Sequence, residues 1–278
     1  FRRRRGFSVR RRTSVGQKLP IGYEGMAWAQ ITKLRKALLK RAGEIYAERN
    51  PELGNMGQTP VQHEMPMETT LEKHGAKDAR ISTGGKESER FTLCLAVMAN
   101  GSKGSIAVEI ARGNRSKFGH PVSGISFGVQ EKSWCDMREC SLWLSSNWLL
   151  RPNHGSIMKQ RPGILVLDDF RCHRGKEFIA DLERKCNTTV ILISGGLTPL
   201  LQPLDRMLNK QMKRLMRGKY TAYGHSGRGR HYGQAEAARA WDGVYLMQGV
   251  VDTPEVVKTC FKVCGLTPAL DGSEDDAW

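Results

Sequence analysis

Two aspartates stand where a divalent cation could be bound. Asp168 directly follows the apolar run 164–167, and Asp205 lies 37 positions later, in the first helical turn after Pro203. Carboxylates brought together repel unless a divalent cation joins them, and hard oxygen ligands suit Mg²⁺ or Mn²⁺. A second interpretation stays open: a strand-end aspartate often caps the next helix, and one in a first helical turn is favoured by the helix dipole.

The elements that would position these aspartates alternate along the chain. Apolar runs at 164–167 and 189–194 predict two buried strands, with one helix between them and another after Pro203. This order predicts a parallel crossover in a sheet that is covered on both faces. Ligands of such sheets bind at the carboxyl ends of the strands, which is where Asp168 stands.

The remaining segments complete an α/β pattern. β-rich runs predict a meander over 90–99, 105–110 and 122–130, with a hairpin turn at Asn100 and Gly101. Apolar residues at helical spacing predict helices over 26–49, 137–148 and 254–263. A Gly-rich segment at 221–234 predicts a flexible loop. A meander followed by strand–helix–strand–helix predicts a ribonuclease H-like α/β fold, a mixed sheet flanked by helices.

Positive charge is concentrated in two blocks. The 278 residues carry a net charge of +16, with seven arginines in the first twelve positions. Residues 1–50 contribute +11 and residues 151–220 contribute +8, whereas 51–150 are neutral and 221–278 are acidic. Basic blocks attract phosphate backbones by releasing counterions, so the charge pattern favours a DNA-binding protein over a merely basic surface.

The cysteines and the apolar residues indicate the kind of cellular compartment in which the protein is expected. Seven scattered cysteines, of which only Cys260 and Cys264 are close in sequence, predict reduced thiols and no zinc site. The absence of a run of eighteen apolar residues argues against a membrane protein. The chain starts at Phe1 and not at Met, which indicates an internal piece of a longer protein.

Several motifs resemble one family. The strings ILVLDDFRCH (164–173), GGLTPLLQPLDRMLNKQMK (195–213) and NMGQTPV (55–61) are similar to the second-, third- and first-aspartate motifs of pogo and Tigger-type DDE transposases. This group also gave rise to centromere protein B. Segment 73–103 and the C-terminal segment 260–278 match as well, and residues 1–17 are similar to the end of the family's helix-turn-helix domain and its linker.

The resemblance implies a ribonuclease H-like fold in which three carboxylates hold two divalent ions, Mg²⁺ or Mn²⁺. Asp168 matches the second ligand and Asp205 the third, whereas Gly57 stands where the family has its first aspartate. Asp169 is a neighbour of the motif residue. His173 ends the second motif, and it either orients a phosphate or packs.

The resemblance also implies an organisation and a partner. Residues 1–20 correspond to the end of the helix-turn-helix domain and a basic linker, 21–220 to the endonuclease domain, and 221–278 to a Gly/Arg loop, a helix and an acidic tail. DNA, bound in the nucleus, is the expected partner, and self-association is left open. The basic residues expected to contact DNA are Arg2, Arg3, Arg4, Arg5, Arg10, Arg11, Arg12, Arg206, Lys210, Lys213 and Arg214.

Four functional hypotheses follow. The leading one is a transposase-derived DNA-binding protein that is catalytically impaired because glycine cannot bridge two cations. The second is an active Mg²⁺-dependent endonuclease that recruits Glu52, Glu64 or Asp169 in place of the lost ligand; Glu52 and Glu64 are otherwise expected at the surface. The third is an interaction scaffold that meets acidic partners without DNA. The fourth is a decayed element copy without a function.

Overall fold

The computed structural model describes residues 5–11, 18–43, 52–62, 69–77, 90–102, 107–112, 125–132, 134–151, 162–225 and 254–267. The strands of these residues are β1 (Phe7–Arg11), β2 (Glu52–Gln62), β3 (Thr69–Lys73), β4 (Arg90–Met98), β5 (Ala107–Arg112), β6 (Ile125–Gln130), β7 (Gly163–Asp168) and β8 (Thr188–Ile193). The helices are α1 (Tyr23–Gly43), α2 (Met137–Ser146), α3 (Lys176–Cys186), α4 (Thr198–Leu201), α5 (Asn209–His225) and α6 (Pro254–Val263). A 3₁₀ turn at Trp148–Leu150 and a π-helical turn at Leu204–Leu208 complete the helical elements of the described residues.

Six strands form one mixed sheet in the order β6-β5-β4-β2-β7-β8. β4 pairs antiparallel with both β2 and β5, whereas β7 pairs parallel with β2 and with β8. An antiparallel meander joined through its first strand to a parallel crossover is the ribonuclease H-like arrangement, so the predicted fold is confirmed. β1 and β3 form a separate two-stranded antiparallel sheet.

Helices cover both faces of the large sheet. On one face, α1, α5 and α6 contribute side chains such as Leu34, Met212 and Phe261 to a buried apolar cluster with β2, β4 and β7. On the other face, α2 and α3 contribute Trp143 and Phe178 to a second cluster. Such packing on both faces explains why the strands are apolar along their whole length. None of the described helices has the length and hydropathy required to cross a membrane.

The local predictions are largely confirmed. Gly101 has a φ of +86° in the turn after β4, a conformation that glycine adopts at little cost. Asp136 caps α2, since its side chain accepts hydrogen bonds from the backbone N–H groups of Arg138 and Glu139. The helices predicted over 26–49, 137–148 and 254–263 appear as α1, α2 and α6. α1 starts three residues earlier than predicted, and the other described ends lie at or within the predicted bounds.

Two local predictions were wrong, and one segment gained an unforeseen partner. β6 pairs parallel with β5, so the meander ends at β5. Residues 7–11 lie in the segment expected to be the end of the helix-turn-helix domain and its linker, and they form a strand because they hydrogen-bond to β3. Residues 221–225 of the predicted Gly-rich loop belong to α5, while 226–234 lie outside the described residues. In each case pairing or helix propagation outweighed the local composition.

Candidate divalent-cation site

Asp168 and Gly57 lie side by side on adjacent strands. β2 and β7 pair in parallel, in a constant register from Glu52 with Gly163 to Asn55 with Val166. The same register carried two residues further brings Gly57 level with Asp168. A side chain at position 57 would point toward Leu204, on the sheet face that α5 covers. The motif match of Gly57 to the first metal-binding position therefore agrees with the strand register.

Asp205 approaches the same edge of the sheet from the π-helical turn. Its side chain is exposed, and Asn209 Nδ2 donates a hydrogen bond to its Oδ1 at 2.8 Å. The surrounding protein desolvates the carboxyl and raises its pKa; the Asp168 carboxylate raises it further, while Asn209 and Lys213 oppose the rise. The two aspartates thus lie close enough to interact electrostatically.

Position 57, the third corner of the site, offers no side-chain ligand. A Cβ atom at Gly57 would lie 2.6 Å from Gln202 Nε2 and 3.1 Å from Leu204 Cδ1. Gln202 is fully buried, and its Nε2 donates to the Met56 carbonyl at 3.4 Å. The amide of Gln202 therefore fills the space that a side chain at position 57 would need. Two carboxylates can offer ligands to one ion, but a two-ion centre does not fit without the third, bridging carboxylate.

Two of the three carboxylates expected as substitutes contact other side chains. Glu52 pairs with Gly163, at the opposite end of β7 from Asp168, and its Oε2 accepts from Arg151 Nε at 2.8 Å in the protein interior. The expectation that Glu52 is a surface residue was wrong, because Arg151 compensates its buried charge. Asp169 Oδ1 lies 3.3 Å from Arg174 Nε. Glu64 lies outside the described residues.

His173 packs beneath Asp168. The imidazole is fully buried, with Nδ1 2.5 Å from Asp168 Oδ1 and Nε2 3.0 Å from the amide nitrogen of Gln58. Burial lowers the pKa of His173, but the contacts with Asp168 and Cys172 outweigh burial and raise it to about 10. The Gln58 amide nitrogen is a hydrogen-bond donor, and a protonated imidazole also donates from both of its ring nitrogens. The amide as placed would therefore set two donors against each other. We favour the imidazolium because of the carboxylate contact, and the Gln58 amide then presents its oxygen.

The position of His173 decides between its two predicted roles. A fully buried ring cannot reach a phosphate of a bound DNA backbone, so His173 packs and orients Asp168. Asn55 also positions the site, although no role was predicted for it. Its Nδ2 donates to Val166 O at 2.9 Å, and its Oδ1 accepts from Leu204 N at 3.3 Å. Asn55 thereby ties the turn that carries Asp205 to the strand that carries Asp168.

The basic residues expected to contact DNA divide into three groups. Lys210 and Arg214 on α5, with Arg5 and Arg10, are exposed. Arg206 donates to the Leu200 carbonyl at 2.7 Å, and the partly buried Lys213 interacts with Asp205. Arg2, Arg3, Arg4 and Arg12, and the side chain of Arg11, lie outside the described residues.

The chain matches one protein family over more than half its length. The model of the DDE superfamily endonuclease family matches residues 88–241. The human protein named "Pogo transposable element with KRAB domain" is 28% identical over 280 residues, and the alignment covers 99% of this chain and 44% of that protein. The mouse protein of the same name gives the same identity and coverage. The chain therefore spans less than half the length of these relatives.

Solved structures of transposases also resemble the chain. The Mos1 mariner paired-end complex with Mn aligns with a TM-score of 0.45 and 14% identity, over 92% of this chain and 68% of that one. The catalytic domain of Mos1 mariner transposase aligns with a TM-score of 0.40 and 13% identity, over 92% of this chain and all of the other.

Proposed function

Because the chain belongs to the DDE superfamily endonuclease family, we propose that it is a transposase-derived nuclear DNA-binding protein whose endonuclease centre is catalytically impaired. One observation carries the proposal. Gly57 stands beside Asp168 where a bridging carboxylate is needed, and the Gln202 amide occupies the space in front of it.

The impairment follows from the chemistry of two-ion hydrolysis. Two cations about 3.5–4 Å apart repel each other, and a bridging carboxylate holds them together. One ion then activates water and the other stabilises the leaving oxygen. Glycine offers no ligand. Glu52 is held by Arg151 at the far end of β7, and Asp169 forms an ion pair with Arg174 at the surface. Asp168 and Asp205 alone hold at most one ion, which leaves the paired-ion reaction without its second member.

DNA binding is supported by the distribution of charge. Lys210 and Arg214 are exposed on the helix that starts beside Asp205, so a phosphate backbone that approaches the two aspartates meets cations there. The curated relatives are named for a transposable element, and one of the solved transposases is a paired-end complex. The 44 basic against 28 acidic residues provide the long-range attraction.

A cleavage assay tests the impairment. The chain is incubated with supercoiled plasmid and Mn²⁺ beside an Asp168→Ala variant, and nicked product is followed over time. We expect the two proteins to give the same low background. Nicking by the parent chain that disappears in Asp168→Ala would show an active centre and refute the impairment, leaving DNA binding untouched.

A salt titration tests DNA binding separately. Each phosphate contact contributes about 0.9 to the slope of log K against log salt concentration. We expect Lys210→Ala/Arg214→Ala to lower this slope by about 1.8. The matched control Arg184→Ala/Lys185→Ala removes the same charges from α3, on the other sheet face, and should leave the slope unchanged. Equal effects of the two double variants would refute this interface, and no salt dependence at all would favour an interaction scaffold.

A further inference from the structure

A group of buried thiols lies on the sheet face opposite α5. Cys135 immediately precedes the cap of α2, Cys140 lies in the first turns of that helix, and Cys172 lies in the turn between β7 and α3. Cys94, in the middle of β4, is buried on the same sheet face. We call these four residues the thiol cluster. The fold thus brings together four cysteines that are scattered over nearly eighty positions of the sequence.

The spacing of the sulfur atoms suits one tetrahedral ion. Cys135 Sγ and Cys140 Sγ are 3.5 Å apart, and the sulfurs of Cys135, Cys140 and Cys172 all lie within 4.8 Å of one another. Zinc–sulfur bonds of about 2.3 Å at tetrahedral angles place neighbouring sulfurs roughly 3.8 Å apart. The separations among Cys135, Cys140 and Cys172 are compatible with that value, so these three sulfurs could bind one ion after small side-chain movements.

The surroundings suit a closed structural site. Each member of the thiol cluster is at most 6% exposed, so water has no open position on a bound ion. Two of the thiols stand at the N-terminus of the ten-residue α2, where the helix dipole favours a thiolate. Four residues separate Cys135 from Cys140, within the range usual for cysteine pairs of structural zinc sites.

We propose that the thiol cluster binds one Zn²⁺ ion, with Cys135, Cys140 and Cys172 as ligands and Cys94 as the fourth. Each coordinating thiol releases its proton to solvent and donates a sulfur lone pair to the ion, without any change of oxidation state. The ion clamps the turn after β7 to α2. The same turn carries His173, which contacts Asp168. The bound ion would therefore help to fix the position of His173, and through it that of Asp168.

Two other uses of the same thiols give different results. A disulfide between Cys135 and Cys140 would remove two hydrogen atoms and leave no metal. Simple packing of four small apolar side chains would leave four reactive thiols and no metal. The spacing of cysteines in the sequence predicted no zinc site, because it concerned neighbours along the chain and not neighbours in the sheet.

Counting metal per chain tests the proposal. The chain is produced in zinc-supplemented medium, purified under reducing conditions without chelator, and analysed for metal by mass spectrometry. We expect about one zinc per chain, loss of that zinc in Cys140→Ala and in Cys172→Ala, and retention in the matched control Cys186→Ala. Cys186 is a buried cysteine on the same sheet face but outside the thiol cluster.

Measurements on the unaltered chain keep the proposal testable if a variant fails to fold. Replacing zinc by Co²⁺ should give visible d–d bands and thiolate-to-cobalt charge transfer, both abolished by excess zinc. A chain without bound zinc and without these bands overturns the proposal, as does equal zinc in Cys140→Ala. A mass two hydrogens below that of the reduced chain identifies the disulfide and overturns it too. None of these outcomes depends on DNA binding or cleavage.

Discussion

Gly57→Asp is the substitution that restores the missing ligand. Position 57 lies level with Asp168 and faces the turn that carries Asp205, so a carboxylate here would complete a set of three. The substitution has two separable effects, a steric one and an electrostatic one. Gly57→Ala isolates the first, and Gly57→Asn, which has the shape of aspartate without its charge, isolates the second.

The steric cost comes from Gln202. A Cβ atom at position 57 meets Gln202 Nε2 at 2.6 Å and Leu204 Cβ at 3.3 Å, and both side chains are fully buried. Overpacking of this kind costs about 1–3 kcal/mol. The reduced freedom of the unfolded chain returns about 0.4–1 kcal/mol, so we expect Gly57→Ala to lower the free energy of unfolding by roughly 1–2 kcal/mol. Adding Gln202→Ala should recover part of this loss, since it removes the nearest atom.

The electrostatic effect depends on the cation. Without metal, the new carboxylate lies about 4–5 Å from Asp168, and two unit charges at that distance repel by roughly 3–4 kcal/mol in an effective dielectric of 20. Gly57→Asp should then be less stable than Gly57→Asn. With Mn²⁺ at about a hundred times its Kd, the bound ion contributes roughly 2.7 kcal/mol. For a domain of this size that raises Tm by about 5–10 °C.

Thermal unfolding with EDTA or with Mn²⁺ measures both effects. We expect a Mn²⁺-dependent rise in Tm for Gly57→Asp that is at least twice the rise for the parent chain or for Gly57→Asn. Equal rises in all three proteins would refute the reasoning, because position 57 would then not face the cation site. A larger rise in the parent chain would show that the site is already complete.

Three further predictions concern residues that support the site. The pKa of His173 is raised to about 10, so the contribution of His173 to the free energy of unfolding is fully present below the unfolded value of about 6.5 and is lost as pH rises through about 10. The difference in unfolding free energy between the parent chain and His173→Gln should therefore narrow over that window, and a difference that stays constant with pH would contradict the pairing of His173 with Asp168. Asn55→Ala leaves two buried backbone groups unpaired and should cost about 2–4 kcal/mol by urea unfolding; a cost below about 0.5 kcal/mol would contradict its role. Arg151→Met should cost about 3–5 kcal/mol because it removes the guanidinium that contacts the buried Glu52 carboxylate, and adding Glu52→Gln should recover part of that loss. Losses that simply add in the double variant would refute the pairing.

Local patterns predicted the parts of the fold that are determined locally. The apolar runs at 164–167 and 189–194 were sufficient to predict β7 and β8. Helical spacing of apolar residues was sufficient to predict α3 and the turn after Pro203 that carries Asp205. The pairing of β6 with β5 was not predictable in the same way, because a parallel neighbour is chosen by contacts distant in sequence. Residues 7–11 became a strand for the same reason, since β3 supplies their partner.

The site was predicted by its charged residues and missed in its neutral ones. Asp168 and Asp205 carry a chemical signal in their type and place. Asn55 and Gln202 are amides whose roles depend on which backbone groups lie opposite them across the sheet. Glu52 shows the converse, because its type suggested a surface carboxylate while its partner Arg151 is 99 positions away.

The thiol cluster is another group of contacts that the sequence did not predict, because its members are far apart along the chain. Cys94 and Cys172 lie 78 positions apart, and no sequence spacing connects them. They come together because β4 and the end of β7 belong to one sheet and α2 packs across the same face. The proximity of Cys94 and Cys172 could be predicted only once the order of the strands in the sheet is known.

Counting the Mn²⁺ ions bound at the aspartates shows whether the site holds a pair of ions. We expect that Asp168 and Asp205, without a carboxylate at position 57, do not hold such a pair. Electron paramagnetic resonance titration of the chain and of an Asp168→Ala/Asp205→Ala variant gives, by difference, the number of Mn²⁺ bound at the site. The account predicts a difference of at most about one ion per chain, without the spin coupling of a close pair. Two coupled ions in the unaltered chain would contradict it.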